Sequence, residues 1–258
     1  MISGVVNIEQ QLLLWMVAIL RPGAAFIAAP VTGAPQVPLQ LRLIIALAVG
    51  LPATQITGFE LPNEGLLSVQ GALMIAGEIG IGLALGFSVQ LGFAAALVAG
   101  ETISNAMGLG FAAMTDPMSG QASSAVGQLL TMLATFLFLA SDGHLLFAGI
   151  VVDSYRAFPP GGGAPLEMMS GLAQLGTLIF SAGLAIALPV SAALVLVQLI
   201  LGILGRSAPA LNLFSVGMPA AIVIGILLLA VSAPMLADAI LHAINQGLDQ
   251  ASGVTHVR

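Results

Sequence analysis

Charged side chains make up only 6% of the 258 residues, so each one that falls inside an apolar stretch is a candidate for chemistry. Glu78 lies within a proline-free apolar run. An unpaired carboxylate at the centre of a bilayer costs about 2.5–3.5 kcal/mol on insertion scales, so Glu78 should face protein or water. Glu101 stands at the far end of the same run, and Arg21 stands with Pro22-Gly23 inside the first apolar block. Two readings of Arg21 are open: a kinked helix whose arginine snorkels, or an arginine that faces protein and pairs with a carboxylate of this chain or of a neighbour. Asp142-Gly143-His144 offers one carboxylate and one imidazole. That pair does not make a metal site, and a turn with solvated side chains is the expected outcome. The chain contains no P-loop, no G-x-S-x-G elbow and no H-E-x-x-H. It also has no cysteine, which removes disulfides, thiolate metal sites and cysteine nucleophiles. No enzyme activity, no metal and no cofactor is expected.

The stretch from Gly100 through Glu101 to Asp116-Pro117 organises the rest, because it sets polar groups and backbone breakers between two long apolar blocks. Gly108 and Gly110 permit conformations that helical residues avoid, and Pro117 disfavours helix at Asp116. A loop carrying Phe111 and Met114 is expected. At bilayer depth such backbone is tolerated only where it is buried or lines a cavity, since lipid cannot satisfy its amides and carbonyls. The stretch therefore reads as a loop kept inside the protein or lining a cavity.

The elements that hold these residues follow from composition. Hydrophobic residues make up 59% of the chain, which places it outside the soluble class and makes it an all-α integral membrane protein. All five basic residues are arginines (21, 42, 156, 206 and 258), without a polybasic patch, so nucleic-acid binding is not expected. The net charge of −6 comes from scattered carboxylates of the kind that mark loops and helix ends. No basic residue precedes the first apolar block, so that block is expected to stay as structure rather than be removed as a signal peptide.

About six apolar segments are expected. Gln11 to Ala29 is the first span, and Pro30, Pro35 and Pro38 make a turn after it. The run from Leu43 to Leu51 is short for a crossing. Residues 66 to 109 contain no proline, and a helix of that length would extend roughly 66 Å, about twice the bilayer core. Every fourth position from Ala72 through Ala76, Gly80, Ala84, Ser88, Gly92, Ala96, Gly100 and Ser104 to Gly108 is small. Small residues let helix backbones approach closely, and a four-residue repeat drifts about 40° per step, so this stripe should wind across several neighbours. Further segments run from Val126 to Ala140, from Leu145 to Val152, from Met168 to Gly205 with a kink at Pro189, and from Val216 to Leu236. An amphipathic tail follows. Phe158 to Pro165 is the clearest linker, and Arg206 sits in a compact turn that joins a helical hairpin.

The run Gly86-Phe87-Ser88-Val89-Gln90, with Phe93-Ala94-Ala95, Ala99-Gly100-Glu101, Met107-Gly108-Leu109, Phe111-Ala112 and Asp116-Pro117, resembles the family of the flagellar export-gate protein FliR and its injectisome relatives, called SctT. Arg21, Pro30, Val37-Pro38 and Arg42 extend the resemblance to the N-terminal part, Asp142-Gly143-His144 and Val152-Asp153 to the middle. Ala187-Leu188-Pro189, Arg206, Ala208-Pro209 and Gly217-Met218-Pro219 extend it to the C-terminal part. The resemblance implies a subunit of the bacterial inner-membrane export gate of a flagellar type III secretion apparatus, assembled with FliP-type and FliQ-type subunits and with FlhB- and FlhA-type components. It implies a channel for unfolded export substrates, a surround of membrane lipid, and helices that form long kinked hairpins wound into a multi-subunit gate. Residues 1–165 would be the FliP-like portion and 166–258 the FliQ-like hairpin and tail. A plug loop would occupy 108–121, with Gly108, Gly110, Phe111, Met114, Asp116 and Pro117 in gating, while Glu78, Gly80, Gly92, Gly100, Glu101 and Arg206 serve packing and assembly. Val98 and Ala221 stand where relatives often carry a basic residue. The competing reading is an independent small-solute permease or channel, for which an inverted repeat would be the signature; no convincing repeat is visible.

Overall fold

The computed structural model describes residues 8–57, 65–110, 124–161, 166–207 and 217–256. Among these residues there are seven helices and no strand: α1 Ile8–Ala28, α2 Leu39–Thr57, α3 Val69–Ala106, α4 Ala125–Ala140, α5 Gly143–Ala157, α6 Leu166–Ser207 and α7 Met218–His256. Four stretches are long and apolar enough to cross a membrane: Gln11–Ala28, Val69–Ala106, Ile179–Ser207 and Met218–Gly253. The α4–α5 pair qualifies together as a bent span, and Leu39–Ala53 is a shorter apolar helix. The chain is an all-α membrane protein with the expected set of apolar segments.

Local signals set most of the helix ends. Ser68 caps α3 by accepting the Gly71 N–H at 3.0 Å, and Ser124 caps α4 in the same way through Gly127, also at 3.0 Å. Between α1 and α2, Arg42 donates to the Ala34 carbonyl at 2.6 Å and closes the proline-rich turn. Several helices run further than the apolar runs read in the sequence. The second segment is a 19-residue helix that passes through Pro52. The last apolar span and the amphipathic tail expected after Leu236 form one helix to His256, in which Leu236, Ile240, Ala243, Ile244, Leu248 and Ala251 keep one face buried while Asp238, His242, Asn245 and Asp249 are exposed.

The 38 residues of α3 form an unbroken helix of about 57 Å. Two compact units share it. The first contains residues up to Gln90, Leu139–Leu175 and the residues from Asn245 onward; the second contains Leu91–Phe138 and Gly176–Ile244. In the first unit α1, α2 and α5 pack on one another, with Phe26 and Phe147 edge to face at 5.7 Å. α3 joins them through Gly82 and Gly86, where a Cβ would strike the backbone oxygens of Arg21 and Ala25. In the second unit Phe93 of α3 meets Phe138 of α4 edge to face at 5.6 Å.

The small-residue stripe does wind. Ala72 and Ala76 are exposed, and a Cβ on Gly80 would meet nothing within 4 Å. From Ala84 to Ser104 the stripe is buried, with Gly92 against the backbone of Ala243 and Ile244 in α7 and Gly100 against Gly127 in α4. Successive rungs thus meet different helices, as a four-residue repeat on a 3.6-residue helix requires.

Candidate functional site

Two constellations hold the polar residues singled out in the sequence. The first is buried in the first compact unit. Pro22 has no N–H, so the Ala18 carbonyl one turn earlier loses its intrahelical donor. The Tyr155 hydroxyl, from α5, donates to that carbonyl at 3.2 Å. A Cβ on Gly50 of α2 would strike the same carbonyl, so α2 packs close at this point. Beside the proline, Arg21 is 0% exposed and its guanidinium forms a two-pronged pair with Glu78: Nε donates to Oε2 at 2.9 Å and Nη2 to Oε1 at 2.7 Å. Nη2 also donates to the Phe158 carbonyl at 2.8 Å, and Nη1 to Ser154 Oγ at 3.2 Å. The Ser154 hydroxyl in turn donates to the Val151 carbonyl at 2.6 Å, and the guanidinium carbon lies 4.0 Å from the Tyr155 ring centroid.

A guanidinium cannot give up its charge inside a protein, so it must be solvated in place. A carboxylate, a hydroxyl, an aromatic face and the C-terminal end of α5, with its negative dipole, do so here. Arg21 therefore faces protein and not the interface. Both Glu78 oxygens are engaged by the same arginine. The cluster is a three-helix fastener joining α1, α3 and α5. Sequence reasoning named Arg21 and Glu78 but missed Ser154, Tyr155 and the Phe158 carbonyl. Tyr155 is the chain's only tyrosine and lies in an apolar helix, which was a usable signal.

The second constellation lies in the other unit, where α3 ends and α4 begins. Gly108 has φ +82°, and its N–H donates to the Asn105 carbonyl at 3.0 Å while the Leu109 N–H donates to the Ser104 carbonyl at 3.1 Å. This is the Schellman stop, with glycine in the left-handed position after the helix. Glu101, about two turns before Gly108, accepts the Ser124 N–H through Oε1 at 2.6 Å. Its carboxylate thus sits at the N-terminus of α4, where the helix dipole favours negative charge. Gly100 and Gly127 make the approach possible, since side chains on either would fill it. The Glu101 contact ties the two helices that flank the expected plug loop.

Of the remaining candidates, Arg206 is exposed in the last turn of α6, beside a negative dipole end. Val98 packs against Gly183, and Ala221 is buried. Asp142 and His144 are exposed in the α4–α5 turn, and no cluster suited to a metal exists among the described residues. Phe111, Met114, Asp116 and Pro117 lie outside the described residues.

Membrane-length helices, glycine-mediated close approaches and charges consumed in holding helices together define a multi-span α-helical membrane protein with no catalytic constellation among the described residues. Residues 12–247 match the family of bacterial export proteins, family 1, and the chain belongs to that family. It is 39% identical over 155 residues to the flagellar biosynthetic protein FliR of Escherichia coli K12, a match covering 59% of either chain. It is 33% identical over 216 residues to the flagellar biosynthetic protein FliR of Caulobacter vibrioides, covering 82% of this chain and 85% of that one. A third relative of the same name, from Pectobacterium carotovorum, is 37% identical over 157 residues and is covered over 60% of its length. The Escherichia and Pectobacterium matches thus span about three fifths of those relatives.

Proposed function

We propose that the protein is a subunit of the bacterial inner-membrane export gate of a flagellar type III secretion apparatus, forming with FliP-type and FliQ-type subunits a channel for unfolded export substrates. The observation that carries this reading is the family match over residues 12–247, together with relatives named for flagellar biosynthesis. FlhB- and FlhA-type components are its further partners. Residues 1–165 act as a FliP-like portion and 166–258 as a FliQ-like hairpin and tail. The plug is the segment 108–121, with Phe111 and Met114 as its apolar obstruction and Gly108, Gly110, Asp116 and Pro117 shaping its bends. Two features support that role: the Schellman stop at Gly108 ends α3 sharply, and Glu101 fixes α4 beside it. Gly80, open on its own helix surface, is free for a neighbouring subunit, as is exposed Arg206.

Co-expression with FliP-type and FliQ-type subunits tests the assignment. Co-purification of a stable complex is expected, and a solute-transporting monomer that ignores those partners would refute it. For the plug, deletion of residues 110–116 is expected to leave the complex assembled while making membranes leaky to small ions. Unchanged leakage in an intact complex would remove Phe111 and Met114 from the gate.

A further inference from the structure

The end of α3 has four carbonyls that the helix itself cannot all satisfy. Ile103 O accepts the Met107 N–H at 2.9 Å, Ser104 O accepts from Leu109 and Asn105 O from Gly108, all within the local turn. Ala106 O is different: its donor is Nε2 of Gln198 in α6, 92 residues away, at 2.5 Å. The amide is costly where it stands. Gln198 is exposed among Leu196, Leu199 and Ile200 on an apolar helix, and between Gln174 and Arg206 it is the only residue with a side-chain amide or charge. A carboxamide in an apolar setting costs about 1–3 kcal/mol unless it is hydrogen-bonded. Its bond to Ala106 O offsets that cost and completes the carbonyls of α3 together.

The next helix, α7, grips the next residue. Met107 is 2% exposed, and a Cβ on Gly225 of α7 would lie 2.7 Å from its Cε and Cγ, so the glycine makes the seat for the methionine. Gly183 of α6 seats Val98, about two and a half turns earlier, in the same manner. From these contacts we infer that Gln198 and Gly225 are positioning residues: α6 and α7, and not the local sequence of α3 alone, hold the Ala106–Gly110 turn. Nothing in this inference needs the export reading, although under that reading the turn it holds is where the plug begins.

Amide hydrogen exchange on the full chain in detergent tests it, with Gln198→Met, which keeps length and apolar volume but removes the donor, and Gly225→Val, which fills the Met107 seat. Exchange at Gly108 and Leu109 is expected to accelerate at least tenfold in both variants, with the buried amides of Leu85 to Ala96 unchanged. Unchanged exchange at Gly108 and Leu109 would overturn the inference. So would uniform acceleration along all of α3, which marks general loss of stability and not local positioning. Ion leakage through the assembled gate carrying Gln198→Met is a separate reading: faster exchange without a leak would leave the positioning role standing and count against the plug.

Discussion

Replacing Arg21 by Met, Glu78 by Leu, and both together should give three proteins whose stabilities do not add. Glu78→Leu leaves a permanent cation in a fully buried site, and Arg21→Met leaves a buried carboxylate whose two oxygens both depended on that arginine. Breaking a buried pair from one side costs about 3–5 kcal/mol. Of the two, Glu78→Leu should be worse, because a carboxyl can be neutralised by a proton and a guanidinium cannot. The double variant carries no uncompensated charge. Tyr155 keeps its bond to Ala18 O and Ser154 its bond to Val151 O, so the principal loss is the donor to the Phe158 carbonyl, about 1–3 kcal/mol. At roughly 2–4 °C per kcal/mol for a chain of this size, each single variant should melt roughly 6–20 °C below the parent, and the double variant above either single. Thermal unfolding of the purified chain in mild detergent, followed by loss of monodispersity, is the assay. A double variant no more stable than the worse single would show that the pair is not what makes each member necessary, and the fastener would be refuted.

The glycines give a paired expectation. Gly86→Leu should sharply destabilise the chain because α1 cannot move back, whereas Gly80→Leu should leave the melting of the isolated chain unchanged and, if Gly80 meets a neighbouring subunit, reduce co-purification with partners. Gly108→Ala forces a left-handed residue with a Cβ and should cost about 1–2 kcal/mol, seen as fraying of the last turn of α3 by hydrogen exchange. Glu101→Gln keeps an acceptor for the Ser124 N–H and should lose only the charge–dipole part, about 0.3–1 kcal/mol. Glu101→Leu strands that N–H and should lose about 1–3 kcal/mol in the same melting assay. Asp142, at φ 55° with no side-chain cap bond, should accept Gly without loss, and Asp142→Val should lower the melting temperature.

The membrane class, the approximate number of apolar segments and the helix stops were legible because each depends on local chemistry. Gly108 announces a left-handed stop, Ser68 announces a cap, and a run of 44 residues without proline announces a helix too long for one upright crossing. Ser124 was equally readable as the cap of α4, since it stands just before the apolar run from Val126, yet its tie to Glu101 was not. The tail after Leu236 was legible as amphipathic, but its continuation of α7 in one helix to His256 was not.

Sequence alone also settled that Arg21 and Glu78 could not stand uncompensated in an apolar surround: the cost of a lone charge there is fixed by the solvent and not by the fold. Which groups would compensate them was decided only by tertiary structure. Arg21 meets Glu78 across 57 residues, Phe158 O across 137, and Gln198 finds Ala106 O across 92. A helix that is apolar nearly all round carries no stripe to say which side meets protein, so its rotation and register come from glycine contacts such as Gly82 on α1 and Gly225 on Met107. Packing of this kind also brings the Tyr155 hydroxyl to the carbonyl that Pro22 leaves open, and an amide from another helix to the last carbonyl of α3.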